Sequence, residues 1–382
     1  MLYHLKIIGF LIVLMITSLL LFNNLSFTKD LKVKEELNVK RLNNGDPIIS
    51  RHLFEQINAN KFESTNINGP SLIKVPQWLK DEGRIIDKDA NYYLYFAHHR
   101  GGYIRLAWAN KIEGPYHLFD KRQTTGKRGV FDLGKSNKLF LTEQAYLVNH
   151  VASPEVLIDD QRRMIKLFFH APYVSGNKKG GKTFMAISED GLDFNQIATD
   201  PTHYLGIHPI PLEGTYLRIF NFNEQIFAIS RGGHLFRAKN KPEMYNSMID
   251  SWEMRPTPII PYNKKSPYMR HAAVLLCSNE LWIFYSRIGD KPERILLSRV
   301  KVDTDWLRWK ASLPPQEVLR PEMKWEGVDY KIKSSKKGVS VKEQALRDPF
   351  IYVEDGNFYM LYSGSGEEAI GLAQLELSDC KL

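Results

Sequence analysis

The chain is predicted to be all-β, a five-bladed β-propeller preceded by an N-terminal hydrophobic signal or anchor segment. Three observations carry this prediction. A tight polar turn followed by an aromatic strand occurs five times along 382 residues. Each occurrence is followed by another strand-like run and often by a fourth. Aligning Phe96, Phe169, Ile229, Tyr285 and Tyr362 gives steps of 73, 60, 56 and 77 residues, the spacing of a whole sheet unit rather than of a single strand. Four-stranded sheets repeated in this way close radially, which leaves only short protected edges.

The last copy is the clearest. Asp348-Pro349-Phe350-Ile351-Tyr352-Val353 is followed by Glu354-Asp355-Gly356-Asn357 and then by Phe358-Tyr359-Met360-Leu361-Tyr362. Asp-Gly suits a two-residue hairpin turn because both positions tolerate positive φ. Tyr, Phe, Ile and Val fit a packed, pleated surface. The other second strands are Tyr92–His99, Met164–His170, Ile226–Arg231 and Leu281–Arg287. Third strands are expected over Tyr103–Trp108, Thr183–Ile187, His234–Ala238, Arg294–Ser298 and Ala369–Leu375, and fourth strands over Ile112–Phe119 and Ser188–Phe194. The fifth unit ends after three strands, so a segment before residue 70, expected at Pro47–Leu53, supplies its outer strand.

Residues 1–28 read as a signal peptide or membrane anchor. Residues 7–22 are almost wholly apolar behind Lys6, yet shorter than the roughly 20 apolar residues of a full span. No Ala-x-Ala-type cleavage site follows. Either reading places the rest outside the cytoplasm, as a periplasmic or cell-surface protein, secreted or membrane-anchored. Residues 29–66 are a polar tether, part of which closes the last blade, and 67–382 form the propeller. Cys277 and Cys380 make no disulfide framework; one bridge and two free thiols both remain open.

Apolar residues at 43% supply a core and argue against wholesale disorder. The net charge of +9 is spread along the chain with no nucleic-acid motif, so no nucleic-acid partner is expected. No metal-ligand spacing is present, and neither metal nor cofactor is expected.

In a propeller the inner strands line a shaft, so first-strand starts and second-strand ends converge on one face. Those positions carry Ser71, His98, His99, His150, His170, Arg218, Arg270, Arg287 and Arg347, which are the expected substrate contacts. Cations gathered around one shaft repel unless an anionic group sits among them. Asp348 and Glu155 are the shaft carboxylates, while Glu343, Glu213, Glu293 and Glu367 fall in or beside loops. Glycoside hydrolysis uses two carboxyl groups, and His271 or His150 is a candidate proton carrier because imidazole titrates near neutrality.

The repeats resemble the five-bladed propeller glycosidases of the family 43, 32, 62, 68 and 117 superfamily over about residues 66–377. The resemblance rests on Asn68-Gly69-Pro70-Ser71, on Ser153-Pro154-Glu155, on the turn Ser188–Phe194, and on Arg347-Asp348-Pro349 before its aromatic strand. It implies a glycoside hydrolase acting on an oligo- or polysaccharide, with Asp348, Glu155 and His271 catalytic. In those families an Asp on the first inner strand commonly serves as base or nucleophile; the similar position here is Gly69. In the neoagarooligosaccharide branch a His takes the acid role, which fits His271 or His150. Two functions follow as expectations. One is a hydrolase for a glycan, anionic in character given the Arg and His set. The other is a non-catalytic glycan-binding or polysaccharide-assembly propeller tethered to a membrane, favoured by the missing first-blade carboxylate.

Overall fold

The computed structural model describes residues 37–57, 59–122, 124–195, 205–207, 212–239, 252–262, 268–336, 338, 341–377 and 380. The apolar run 7–22 lies outside the described residues. Among the described residues no helix is long and apolar enough to cross a membrane.

Five antiparallel sheets follow one another along the chain. The first blade is β2 (Asn68–Lys74), β3 (Tyr92–Ala97), β4 (Tyr103–Ala109) and β5 (His117–Phe119), with β6 (Phe131–Asp132) also paired to β4. The second is β9 (Ala152–Asp159), β10 (Met164–Ser175), β11 (Lys178–Ser188) and β12 (Gly206–Ile207). A hairpin of β7 (Lys138–Phe140) and β8 (Ala145–Val148) adds to the far end of β10. The third is β13 (Arg218–Phe222), β14 (Gln225–Ile229), β15 (Leu235–Ala238) and β16 (Trp252–Met254). The fourth is β17 (Tyr268–Cys277), β18 (Glu280–Ile288), β19 (Ile295–Lys301) and β20 (Gln316–Leu319). The fifth is β21 (Val341–Glu354), β22 (Asn357–Gly366), β23 (Ala369–Glu376) and, from the start of the chain, β1 (Asn38–Arg41).

The turns are those the residues favour. Asp355 and Gly356 have φ of 49° and 75°, and Asn223 and Glu224 have 49° and 60°; both pairs place positive φ at the two central positions of a hairpin turn whose twist matches its strands. Inner faces alternate aromatic and aliphatic side chains, and Tyr93, Tyr95, Phe96, Tyr285 and Tyr362 are buried between neighbouring sheets.

Two expected strands lie elsewhere. The ring is closed by Asn38–Arg41 rather than Pro47–Leu53; of the latter segment Ile49 makes one bridge to Ile370, and Arg51–Glu55 forms the short helix α1. Closure is pinned by Arg41, whose guanidinium donates to Glu326 at 2.8 and 2.9 Å, to Glu322 at 2.6 Å and to the Arg320 carbonyl at 2.7 Å. Ser188–Phe194 is a turn, and the outer strand of the second blade is Gly206–Ile207. The Ser188 hydroxyl accepts the Gly191 N–H at 3.0 Å and the Asp190 carboxylate accepts the Leu192 N–H at 2.8 Å. Such local bonds compete with ladder bonds for the backbone. Cys277 and Cys380 are joined in a disulfide, with Cα atoms 4.7 Å apart across 103 residues of sequence.

Candidate functional site

At the start of the inner strands the ladder slips. Register shifts fall between Asn68 and Ser71, between Met269 and Ala272, and between Arg347 and Phe350; in the second blade the slip is on β10, between Phe168 and His170. Gly69, Ser153 and Asp348 adopt φ of 61°, 54° and 49° at three of these points, and Tyr216, just ahead of β13, has a φ of 58°. A bulge bends the strand and re-aims a side chain. Left-handed backbone at non-glycine residues costs energy and gathers at functional sites. The bulge recurs in four of the five blades, while the inner pair of the third blade, β13 with β14, stays in register.

A buried ion network joins the inner strands. Glu293 accepts from Arg270 Nε at 2.6 Å, from Arg347 Nε at 2.8 Å and from Ser286 Oγ at 2.8 Å, and its side chain is fully buried. Arg347, equally buried, also reaches Glu367 at 3.3 Å and Glu343 at 3.4 Å. Glu367 accepts from Asn66 at 2.7 Å and lies 3.3 Å from His99 Nδ1. Burial alone would raise the Glu367 carboxyl, but His99, Arg347 and Asn66 outweigh it and hold the group below its ordinary value. On the other side Arg218 donates to Glu155 at 2.7 Å and to the carbonyls of Pro154 and Ala272 at 3.0 Å each. Burial pushes the Glu155 carboxyl up against the opposing pull of Arg218.

Above this network an arc of rings crosses from blade to blade. Centroid separations are 5.8 Å for His99–His150, 5.2 Å for His150–His170, 4.1 Å for His170–Tyr216 and 4.2 Å for Tyr216–His271. The arc ends where His271 Nδ1 pairs with Asp348 Oδ1. The other Asp348 oxygen accepts from the Gly69 N–H and from Ser363 Oγ, both at 3.3 Å. A carboxylate from the last blade thus rests on the first-blade position that itself carries none. Arg270 and Arg347, the chain neighbours of His271 and Asp348, are clamped together through Glu293 directly behind the pair.

The electrostatics keep His150, His170 and His271 neutral. Burial, with Arg270, Arg231 and His99 adding to it, pushes His271 well below its ordinary 6.5. Burial and the neighbouring His150 and His99 do the same to His170. Burial and His99 lower His150 to about 4. A neutral His271 with Nδ1 toward Asp348 leaves Nε2 as an acceptor, the arrangement of a general base oriented by a carboxylate.

The structure brings His99, His150, His170, His271 and Asp348 together, with Arg218, Arg270 and Arg347 behind them. Glu155 is committed to Arg218. Ser71 is buried, with its hydroxyl accepting the Val156 N–H at 2.9 Å. His98 turns away from the arc to the Phe62 carbonyl, 2.9 Å from its Nε2, and Arg287 turns to Asp290. Tyr216, Glu293, Glu367 and Asn66 belong to the cluster and were not singled out from the sequence. The signal for Tyr216 was its place at the start of an inner strand. Glu293 and Glu367 read as loop acids because their arginine partner lies 54 and 20 residues away. Among the described residues no group of three or more His, Cys, Asp or Glu is arranged to hold a metal ion.

No protein-family model matches the chain. Uncharacterized protein R118 of Acanthamoeba polyphaga mimivirus is 29% identical over 315 residues, 81% of this chain and 83% of that protein. Among solved structures, an α-L-arabinofuranosidase from Lactobacillus brevis superposes with a TM-score of 0.51 at 13% identity, over 82% of this chain and 92% of the other. The catalytic domain of a family-62 α-L-arabinofuranosidase from Coprinopsis cinerea gives 0.50 at 14% identity, over 88% and 97%. A family-43 enzyme from Xanthomonas citri, solved with xylose, gives 0.50 at 10% identity, over 88% and 92%. At these identities the likeness is one of fold: the chain has the five-bladed propeller of the family-43 and family-62 glycoside hydrolases.

Proposed function

We propose that the protein is an extracytoplasmic glycoside hydrolase-like propeller whose axial mouth binds a glycan and cleaves it with the His271–Asp348 pair. The observation that carries this reading is the seat of Asp348 on the Gly69 backbone, paired to His271 from the neighbouring blade. Gly69 is the position at which the resemblance would place a first-blade acid. Neutral His271 takes a proton from the attacking water, and Asp348 stabilises the imidazolium that forms. The leaving oxygen also needs a proton. His99 is assigned that role, because among the described residues it is the other histidine of the arc with a carboxylate partner, Glu367. Tyr216 packs between His170 and His271 and holds the two imidazoles in place. The Cys277–Cys380 bridge favours an oxidising compartment, in keeping with the apolar run at residues 7–22.

A second reading, a glycan binder that does not cut, is favoured by a specific feature. Glu155 and Glu293 are each bonded to buried arginines, so neither is a free carboxyl group in the shaft. One experiment separates the two. The full chain and its Asp348→Asn variant are incubated with neutral and acidic oligosaccharides, scoring binding and product release. Release by the wild type that the variant loses while still binding supports the hydrolase. Binding without release selects the second reading, and the absence of both refutes a glycan site.

A further inference from the structure

A second feature, outside the arc, bears on which glycan the mouth receives. A cavity of about 890 Å³ opens between the segment that follows β1 and the turn at Met323–Trp325. Its wall includes Thr65, Lys342 and Glu368, each the direct chain neighbour of a residue in the ion network: Asn66, Glu343 and Glu367. The cavity therefore lies between the segment after β1 and the last blade, one residue along the chain from the ion network at three points.

Its aromatic element is built in. The Trp325 indole lies across Gly364 and Gly371, where a methyl group on either glycine would overlap the ring. It stacks on Tyr362 with centroids 5.7 Å apart, and its Nε1 donates to the Gly45 carbonyl at 2.6 Å. The turn that carries it is clamped by Glu326, fully buried, which accepts from Arg41, from the Tyr362 hydroxyl at 2.8 Å, and from the Glu322 and Met323 N–H groups at 2.7 and 3.0 Å. Arg41 belongs to the strand that closes the ring, so closure and the indole's position depend on one another.

The charges on the wall are unbalanced. Lys61, Lys324 and Lys342 line the cavity with Arg51, against the carboxylates of Asp46 and Glu368. Arg51 is partly compensated by Glu55, while the three lysines form no ion pair among the described residues. Three ammonium groups around one indole fit a ligand with a flat apolar face and regularly spaced negative charge. A carboxylated or sulfated sugar chain has both.

We infer that this cavity is a subsite for acidic sugar residues, holding the continuation of a glycan whose reactive end enters the axial mouth. The inference rests on the glycan reading of the mouth and narrows it to anionic glycans. The test measures binding by the full chain of an oligogalacturonate hexamer, a heparin-derived hexasaccharide and, as a neutral control, maltohexaose. Lys324→Gln/Lys342→Gln changes two exposed side chains and leaves the fold intact. It weakens the favoured acidic probe about tenfold at low ionic strength, an effect that shrinks as salt screens the wall, and leaves maltohexaose within about twofold. Whichever acidic probe binds identifies the anionic group as carboxylate or sulfate. Trp325→Phe lowers affinity for the same probe while Glu326 still anchors the turn. An unchanged affinity in the double variant, failure of the wild type to bind either acidic probe, or equal binding of maltohexaose overturns the subsite. The mouth is scored separately by product release with Asp348→Asn. Release with no lysine effect removes the groove and keeps the mouth. A lysine effect with no release by the wild type keeps the groove as a binding site and removes the hydrolase.

Discussion

Replacing Glu293 with Gln tests whether the ion network builds the site. Glu293 takes four bonds from two guanidiniums and a hydroxyl, at 2.6, 2.8, 2.8 and 3.3 Å, with no exposed surface. Glutamine keeps the shape and one acceptor oxygen but removes the charge, and its amide points donors at cations. Arg347 retains Glu367 and Glu343; Arg270 retains the Lys336 carbonyl at 2.6 Å and is left as an uncompensated buried cation. Breaking a buried pair from one side costs about 3–5 kcal/mol. The unit Val39–Leu382 spans 344 residues (382 − 39 + 1). At ~2.1 cal/mol/K per residue its unfolding entropy is ~0.7 kcal/mol/K, so Tm falls by about 4–7 °C. Differential scanning calorimetry measures this directly. Glu253→Gln is the control, because its bond to Arg237 is half-exposed, with side chains 42% and 35% accessible; such pairs are worth at most about 1 kcal/mol. Arg270 and Arg347 are next in the chain to His271 and Asp348, so Glu293→Gln also lowers any turnover beyond what the fraction unfolded explains. A Tm within about 1 °C of the wild type, equal to that of the control, would refute the argument that this network carries a buried charge balance.

Three further outcomes are expected. Cys277→Ser/Cys380→Ser reopens a loop spanning 103 residues; loop-closure entropy sets the loss at up to about 4–5 kcal/mol, read as a lower Tm that added reductant no longer changes. Burial lowers His98 to about 3 and His150 to about 4 and holds His170 well below 6.5. The unfolded chain takes up those protons near 6.5, so their stability is complete above that pH and is lost as pH falls from about 6.5 toward 4. The slope is about 1.4 kcal/mol per pH unit for each histidine; His150→Gln flattens the acid limb of Tm against pH, and an unchanged limb would count against the buried neutral imidazole. Arg41→Ala leaves Glu326 buried without its cation, destabilises by about 3 kcal/mol and weakens the acidic probe through Trp325; stability equal to the wild type in thermal unfolding would disprove the clamp.

Much of the ring was legible in the sequence because its causes are local. Asp355-Gly356 and Asn223 suit tight turns because Gly, Asn and Asp tolerate positive φ, and the alternating aromatics on either side need no distant partner to read as sheet. His99, His150, His170 and His271 stood out because they interrupt apolar strands at positions that a radial repeat brings together. The fourth strand of the second blade was misread because Ser188 and Asp190 satisfy the backbone from their side chains, so a turn took the place of a ladder.

What the tertiary structure alone decided is pairwise and distant. Asn38–Arg41 has no strong pattern of its own; it is a strand because the open edge of β23 supplies the hydrogen-bond partners. Whether Cys277 met Cys380 depended on the fourth blade and the chain end approaching across 103 residues. The roles of the acids followed the same rule. Glu155 read as a shaft carboxylate and Glu293 as a loop acid until Arg218 arrived from 63 residues away and Arg347 from 54. Local sequence fixes what a segment prefers, while charge compensation in a buried shaft depends on which groups the fold brings within a few ångströms.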